Sequence, residues 1–208
     1  MDIGKSLSFV FDDERWIAKL AIAAGVLLLG IVGMIVIVGP FVASALLMGY
    51  SIAIARNVMR GVAHPLPEWD EWGSLLVDGI KYLFVSFVWS IPLLIVMAPI
   101  IVVSVLADGS EEAGGVVALA AMCVACLAFA YGILLVLVMP VWLVRLAETG
   151  SVADAIRPGR VLPFVRDNLG QVIIALIVTL VAQMVAGFVG GLICGVGWLV
   201  TVPWSYMV

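Results

Sequence analysis

Charge is scarce in this chain. Only 12% of its 208 residues are Asp, Glu, Lys or Arg, against about 25% in an average soluble domain. Such a chain cannot clothe a water-facing surface of normal polarity, which excludes an ordinary soluble globular domain. Histidine is reduced to one residue, His64, and cysteine to three, Cys123, Cys126 and Cys194. Cys123 and Cys126 form a C-x-x-C pair, but inside an apolar run and without a second pair. Tetrahedral zinc needs four ligands, so no metal is expected and the cysteines read as small buried side chains. No P-loop, H-E-x-x-H, G-x-S-x-G or kinase motif set occurs. No catalytic residue and no cofactor is assigned, and the chain reads as a non-enzyme.

Positive charge is the scarcer sign. Ten Lys and Arg face fourteen Asp and Glu, a net charge of −4. That excludes the basic stripe that nucleic-acid binding needs. It also excludes a polybasic lipid-binding patch. A cleavable signal peptide is not expected either. The first residues hold Asp2, Asp12, Asp13 and Glu14 in place of a basic stretch leading straight into an apolar one.

What is present is apolar length. Hydrophobic residues make up 65% of the chain and mean hydropathy is +1.28. A helix crossing about 30 Å of hydrocarbon needs about 20 apolar residues. Trp16–Val38 is the first such run; Gly39-Pro40 breaks it and Phe41–Arg60 returns. A third run covers Leu75–Leu106. Asp108 to Gly115 reads as an acidic loop. A fourth run begins near Val116, leaves the membrane near Pro140 and extends as helix to Thr149. A fifth covers Leu169–Ile193, a turn follows at Gly195 and Gly197, and a last apolar segment reaches Val208. The expectation is an all-α polytopic transmembrane bundle of about six spans in one domain, 1–208. The spans form three hairpins, about 16–60, 75–149 and 169–208. Interfacial segments at 2–15, 61–74 and 150–168 lead them in. The final segment is short for a full crossing, which reads as a chain continuing past Val208, or as a re-entrant half-helix.

The ten basic residues lie at one end of these hairpins. Lys5, Arg15 and Lys19 open the first; Arg56, Arg60 and Lys81 flank the second lead-in; Arg145, Arg157, Arg160 and Arg166 flank the third. The opposite connections carry none. Cytoplasmic connections are the Lys- and Arg-rich ones, so this edge and both termini are expected in the cytoplasm of a cell-membrane protein. The lead-ins also echo one another. Leu7-x-Phe9-Val10-x-Asp12-Asp13 matches Leu162-x-Phe164-Val165-x-Asp167-Asn168, with Trp69-Asp70-Glu71-Trp72 between.

Several features are candidates for function. Pro65 and Pro67 hold the second lead-in extended, and Glu68, Trp69, Asp70 and Trp72 follow. This stretch reads as an interfacial anchor, with a cytoplasmic docking site as the sharper alternative. Its carboxylates read as a solvated charge run near Arg56, Arg60 or Lys81. Asp78 and Lys81 are spaced to pair on one helix face. Ala45, Gly49, Ala53 and Asn57 form one helix-packing stripe, and Gly187, Gly191 and Gly195 another, serving contacts inside the bundle or between copies. Pro92 and Pro99 share a face of the third span as a static bend or a hinge. The span middles contain no ionisable residue, which weighs against ion-coupled transport.

Asp2-Ile3-Gly4-Lys5-Ser6-Leu7, Phe11-Asp12-Asp13, Arg56-Asn57-Val58-Met59-Arg60-Gly61, Pro65-Leu66-Pro67-Glu68-Trp69-Asp70-Glu71-Trp72-Gly73, Val77-Asp78-Gly79-Ile80-Lys81 and Phe164-Val165-Arg166-Asp167-Asn168-Leu169-Gly170 together carry a resemblance. The chain resembles the prokaryotic membrane-protein family called domain of unknown function 4013. The resemblance implies a multi-pass membrane protein of unassigned activity, and it brings no catalytic residues. The expected partners are the lipid bilayer and further copies of the chain. The expected function is assembly or partner docking at the cytoplasmic edge, with a passive channel or facilitator for a neutral or lipid-like solute as the alternative.

Overall fold

The structure, a computed structural model, describes residues 9–36, 38–106, 111–192 and 197–207. All regular structure among them is helical. A 3₁₀ turn, Phe9–Asp12, precedes α1 (Trp16–Val32), and a second, Gly33–Val36, closes it. Then come α2 (Val38–Met59), α3 (Trp72–Leu106), α4 (Glu111–Thr149), α5 (Val152–Ile156), α6 (Pro158–Asp167), α7 (Leu169–Leu192) and α8 (Trp198–Met207). Four helices, α2, α3, α4 and α7, are long and apolar enough to cross a membrane. Helix α1 has 17 residues and rises about 25 Å at 1.5 Å per residue. Helix α8 has ten, about 15 Å, half of a hydrocarbon core.

Several boundaries differ from the sequence expectation. Helix α2 begins at Val38, ahead of Gly39-Pro40. Pro40 falls in the first turn, where backbone N–H groups have no intrahelical partner to lose. The stretch expected to be loop up to Gly115 is helical from Glu111; the remainder of that loop, 107–110, lies outside the described residues. Pro92 and Pro99 sit inside an unbroken α3, and Pro140 inside an unbroken α4. Ser90 Oγ donates to the Ser86 carbonyl, 2.8 Å away, one turn below Pro92. Cys123 and Cys126 are free and exposed on α4, not buried as expected, because the described residues of that half of α4 are mostly uncovered by other helices. Cys194 lies outside the described residues.

Helices α2 and α4 end alike. Gly61 follows Arg56 by five residues and takes φ +70°; Gly150 follows Arg145 by five and takes φ +64°. Left-handed backbone at a helix C-terminus suits glycine, which has no Cβ to clash.

Helix α2 is the hub, packing against α1, α3, α4 and α8. Small residues set the approach distances. A Cβ on Gly79 of α3 would overlap the Ala45 carbonyl, and one on Gly49 would overlap the Leu75 carbonyl. A Cβ on Gly30 of α1 would stand 2.5 Å from the Ala43 Cβ. Backbones this close gain dispersion contact that lipid cannot supply. Gly187 and Gly191 face open space, and Gly190 holds the α7–α8 contact against Trp198 and Thr201. Gly195 lies outside the described residues.

Two cores result. One, with Leu20, Leu47, Tyr50, Leu66 and Trp69, lies among α1, α2 and the 62–71 connection. The other, with Tyr82, Trp89, Val141, Trp142 and Val161, joins α3, α4 and α6. The echoed lead-ins act alike: Val10 enters the first core at 0% exposure and Val165 the second at 7%.

Candidate functional site

The connection from Val62 to Glu71 is a strap laid across α1 and α2. Its two prolines keep it extended and lack N–H groups, so its carbonyls are what can be gripped. Three consecutive carbonyls are gripped. Asn57 Nδ2 donates to Pro65 O at 2.9 Å, Lys19 Nζ to Leu66 O at 2.8 Å, and Tyr50 Oη to Pro67 O at 3.0 Å. Leu66 and Trp69 are buried at 3% and 5% exposure. The Trp69 ring stacks on Tyr50, with centroids 4.4 Å apart and planes 10° from parallel. Its indole N–H donates to the Lys19 carbonyl at 3.2 Å.

Lys19 is the pin of this arrangement. Its ammonium reaches Asp13 Oδ2 at 2.8 Å, Leu66 O at 2.8 Å and Glu68 Oε1 at 3.1 Å. Three donors meet three acceptors, which is what burying a lysine requires. Asp13 also accepts the Arg15 amide at 2.8 Å. Burial pushes the Asp13 carboxyl up, but the hydrogen bonds from Lys19 and Arg15 and the Lys19 charge outweigh it. Its pKa falls below the ordinary carboxylate value. The carboxylates of the strap, expected near Arg56, Arg60 or Lys81, line one cleft with Arg56 and Arg60; Glu68 also pairs with Lys19 and, at 3.6 Å, with Arg15.

A second ion cluster ties α2 to α3. Asp78 takes Arg56 at 2.9 Å and Lys81 at 2.9 Å. Between this cluster and the strap lies a polar cleft of about 290 Å³, lined by Arg60, Glu68, Asp70, Glu71 and Asp78 among others. At the third lead-in, the Arg145 guanidinium lies 4.7 Å over the Phe164 ring, and Arg160 pairs with Asp154.

The structure thus splits the candidate segment by exposure. Pro65 and Trp69 are buried and Pro67 is half-buried, while Glu68, Asp70 and Trp72 face outward. Trp72 is 42% exposed and stands 5.1 Å from Trp69, centroid to centroid. From sequence, Asn57 reads only as part of a packing stripe and Lys19 only as one of the basic residues of this edge, and Tyr50 is not singled out. The available signal was Lys19 itself, a cation inside the first apolar run. Among the described residues, no three of His, Cys, Asp and Glu come close enough to hold a metal ion.

An all-helical protein with four helices able to cross a membrane, and a polar strap bolted over one end of them, is the class these observations define. The chain belongs to the family described as "Protein of unknown function (DUF4013)", whose model matches residues 18–195. No curated protein and no solved structure matches it.

Proposed function

We propose that the chain is a multi-pass protein of the cell membrane that carries out no catalysis and works by docking a partner, or further copies of itself, at its cytoplasmic edge. In this reading the six apolar segments pair as three hairpins. Helix α8 is a short return arm that covers about half of the hydrocarbon core, and the lead-in to α1 shares the cytoplasmic side with the basic residues. The observation that carries it is the grip on the three carbonyls of Pro65, Leu66 and Pro67. That grip fixes the outward row of Glu68, Asp70, Glu71 and Trp72 before anything binds. A preordered surface loses less conformational entropy on association.

The facilitator reading has less support. Ser90 and Thr179 donate to carbonyls of their own helices, so these hydroxyls are occupied locally. A photo-reactive amino acid at Asp70, activated in intact membranes, tests the docking reading. A discrete adduct is expected, at twice the chain mass for self-assembly or at another defined mass for a partner. Absence of any adduct from Asp70, Glu71 and Trp72 in turn would sink it.

A further inference from the structure

The outer face of α1 and α2 carries an apolar groove of about 470 Å³, within the range of small-ligand sites. Ile22, Val26 and Leu29 form one wall and Val42 and Leu46 the other. Gly25 and Gly39 also line it, and Trp72 stands at its strap end. The lining offers almost nothing that could form a hydrogen bond, so the groove suits a hydrocarbon chain.

The chemistry at the strap end selects among chains. Arg15 caps the start of α1, seven residues before Ile22 and fourteen before Leu29, and so lies close to the stripe those two share. Arg15 therefore stands below the groove, about 10 Å along the axis from Ile22. Its side chain is 73% exposed and only 3.6 Å from Glu68 Oε1. Glu68 is already held at 3.1 Å by Lys19, so Arg15 is the looser partner and can turn to another anion. A guanidinium beside a carboxylate, beyond the strap end of an apolar groove, matches a headgroup with a phosphate and an ammonium. A purely anionic headgroup would meet Glu68 unfavourably. A quaternary amine could not donate hydrogen bonds to it.

We propose that this groove holds one acyl chain of a zwitterionic, primary-amine phospholipid, with its phosphate on Arg15 and its ammonium on Glu68. The proposal rests on the bilayer placement given above. Native mass spectrometry of the full chain, with dioleoyl phosphatidylethanolamine, phosphatidylglycerol or phosphatidylcholine added singly, tests it. The ethanolamine lipid should be retained about tenfold more tightly, the worth of one charge-assisted hydrogen bond. Gly25→Phe should abolish retention; no atom lies within 4 Å of a Cβ there, so the fold can accept it. Val42→Trp, on the opposite wall, should do the same. Arg15→Gln should remove the headgroup preference and leave weaker chain binding.

Equal retention of the three lipids would overturn the headgroup assignment. Retention unchanged by both groove-filling variants would overturn the site. A dimer that Gly25→Phe dissociates would make a second copy the occupant. Release of the wild-type chain from membranes by alkaline carbonate would instead overturn the bilayer placement.

Discussion

Replacing Lys19 by methionine removes the pin while keeping the length of the aliphatic stem. Three acceptors lose their donor, but unequally. Glu68 has 43% of its side chain exposed, so water takes it back at little cost. The Leu66 carbonyl sits on a residue 3% exposed. Asp13 has a side chain only 8% exposed and is left with the Arg15 amide as its hydrogen-bond donor among the described residues. Stranding one partner of a buried pair costs about 3–5 kcal/mol. Glu68's exposure places the expected loss at the lower end, about 3 kcal/mol. For a chain of this size that is a fall of about 6–12 °C in Tm, read by tryptophan fluorescence in detergent. Trp69, stacked over Tyr50, should report the loss directly. Adding Asp13→Asn should restore most of it, since the amide oxygen still accepts from Arg15 and no buried charge is left. A Lys19→Met melt within about 2 °C of wild type would refute the reasoning.

Two further outcomes follow from packing and charge. Gly79→Leu should lower stability by about 3 kcal/mol or more, because the side chain meets the Ala45 backbone, which cannot swing away. Gly25→Ala, in open space, should change it by less than about 0.5 kcal/mol; equal melts for the two would contradict the α2–α3 crossing. The Asp13 carboxyl titrates lower in the folded chain than in the unfolded one. Its contribution is therefore full above the unfolded value, about pH 4, and is lost as pH falls through the folded one. The Tm difference between wild type and Asp13→Asn should be constant from pH 7 to about pH 5 and shrink in more acid buffer. A difference that shrinks on the alkaline side would contradict the assignment.

How much of this was legible beforehand depends on how local each feature is. Helices α2, α3, α4 and α7 announce themselves by apolar length alone. The ends of α2 and α4 are marked by glycine. Pro40 misled about the start of α2, because a proline that breaks a helix interior is harmless in a first turn. The Asp78–Lys81 pair is visible from spacing within one helix. The strap is not visible in the same way. Leu66 and Trp69 sit among polar neighbours, and Trp69 reads as an interfacial anchor and not as core. Their burial depends on Tyr50 and Lys19, and Lys19 is 47 residues from Leu66. Gly79 looked unremarkable because its importance lies in Ala45 on another helix. Cys123 and Cys126 were expected to be buried, but an apolar segment can face lipid as well as core, and composition does not separate the two.

Docking at the cytoplasmic edge requires that the strap be reachable from the cytoplasm and from that side only. In a chain freed of Cys123, Cys126 and Cys194, single substitutions Asp70→Cys and Gly115→Cys place a thiol at each end of the bundle; both positions are exposed. A membrane-impermeant maleimide applied to intact cells should label the Gly115→Cys chain at once. It should label the Asp70→Cys chain only after permeabilisation. Labelling of Asp70→Cys in intact cells, with Gly115→Cys protected until permeabilisation, would contradict the account.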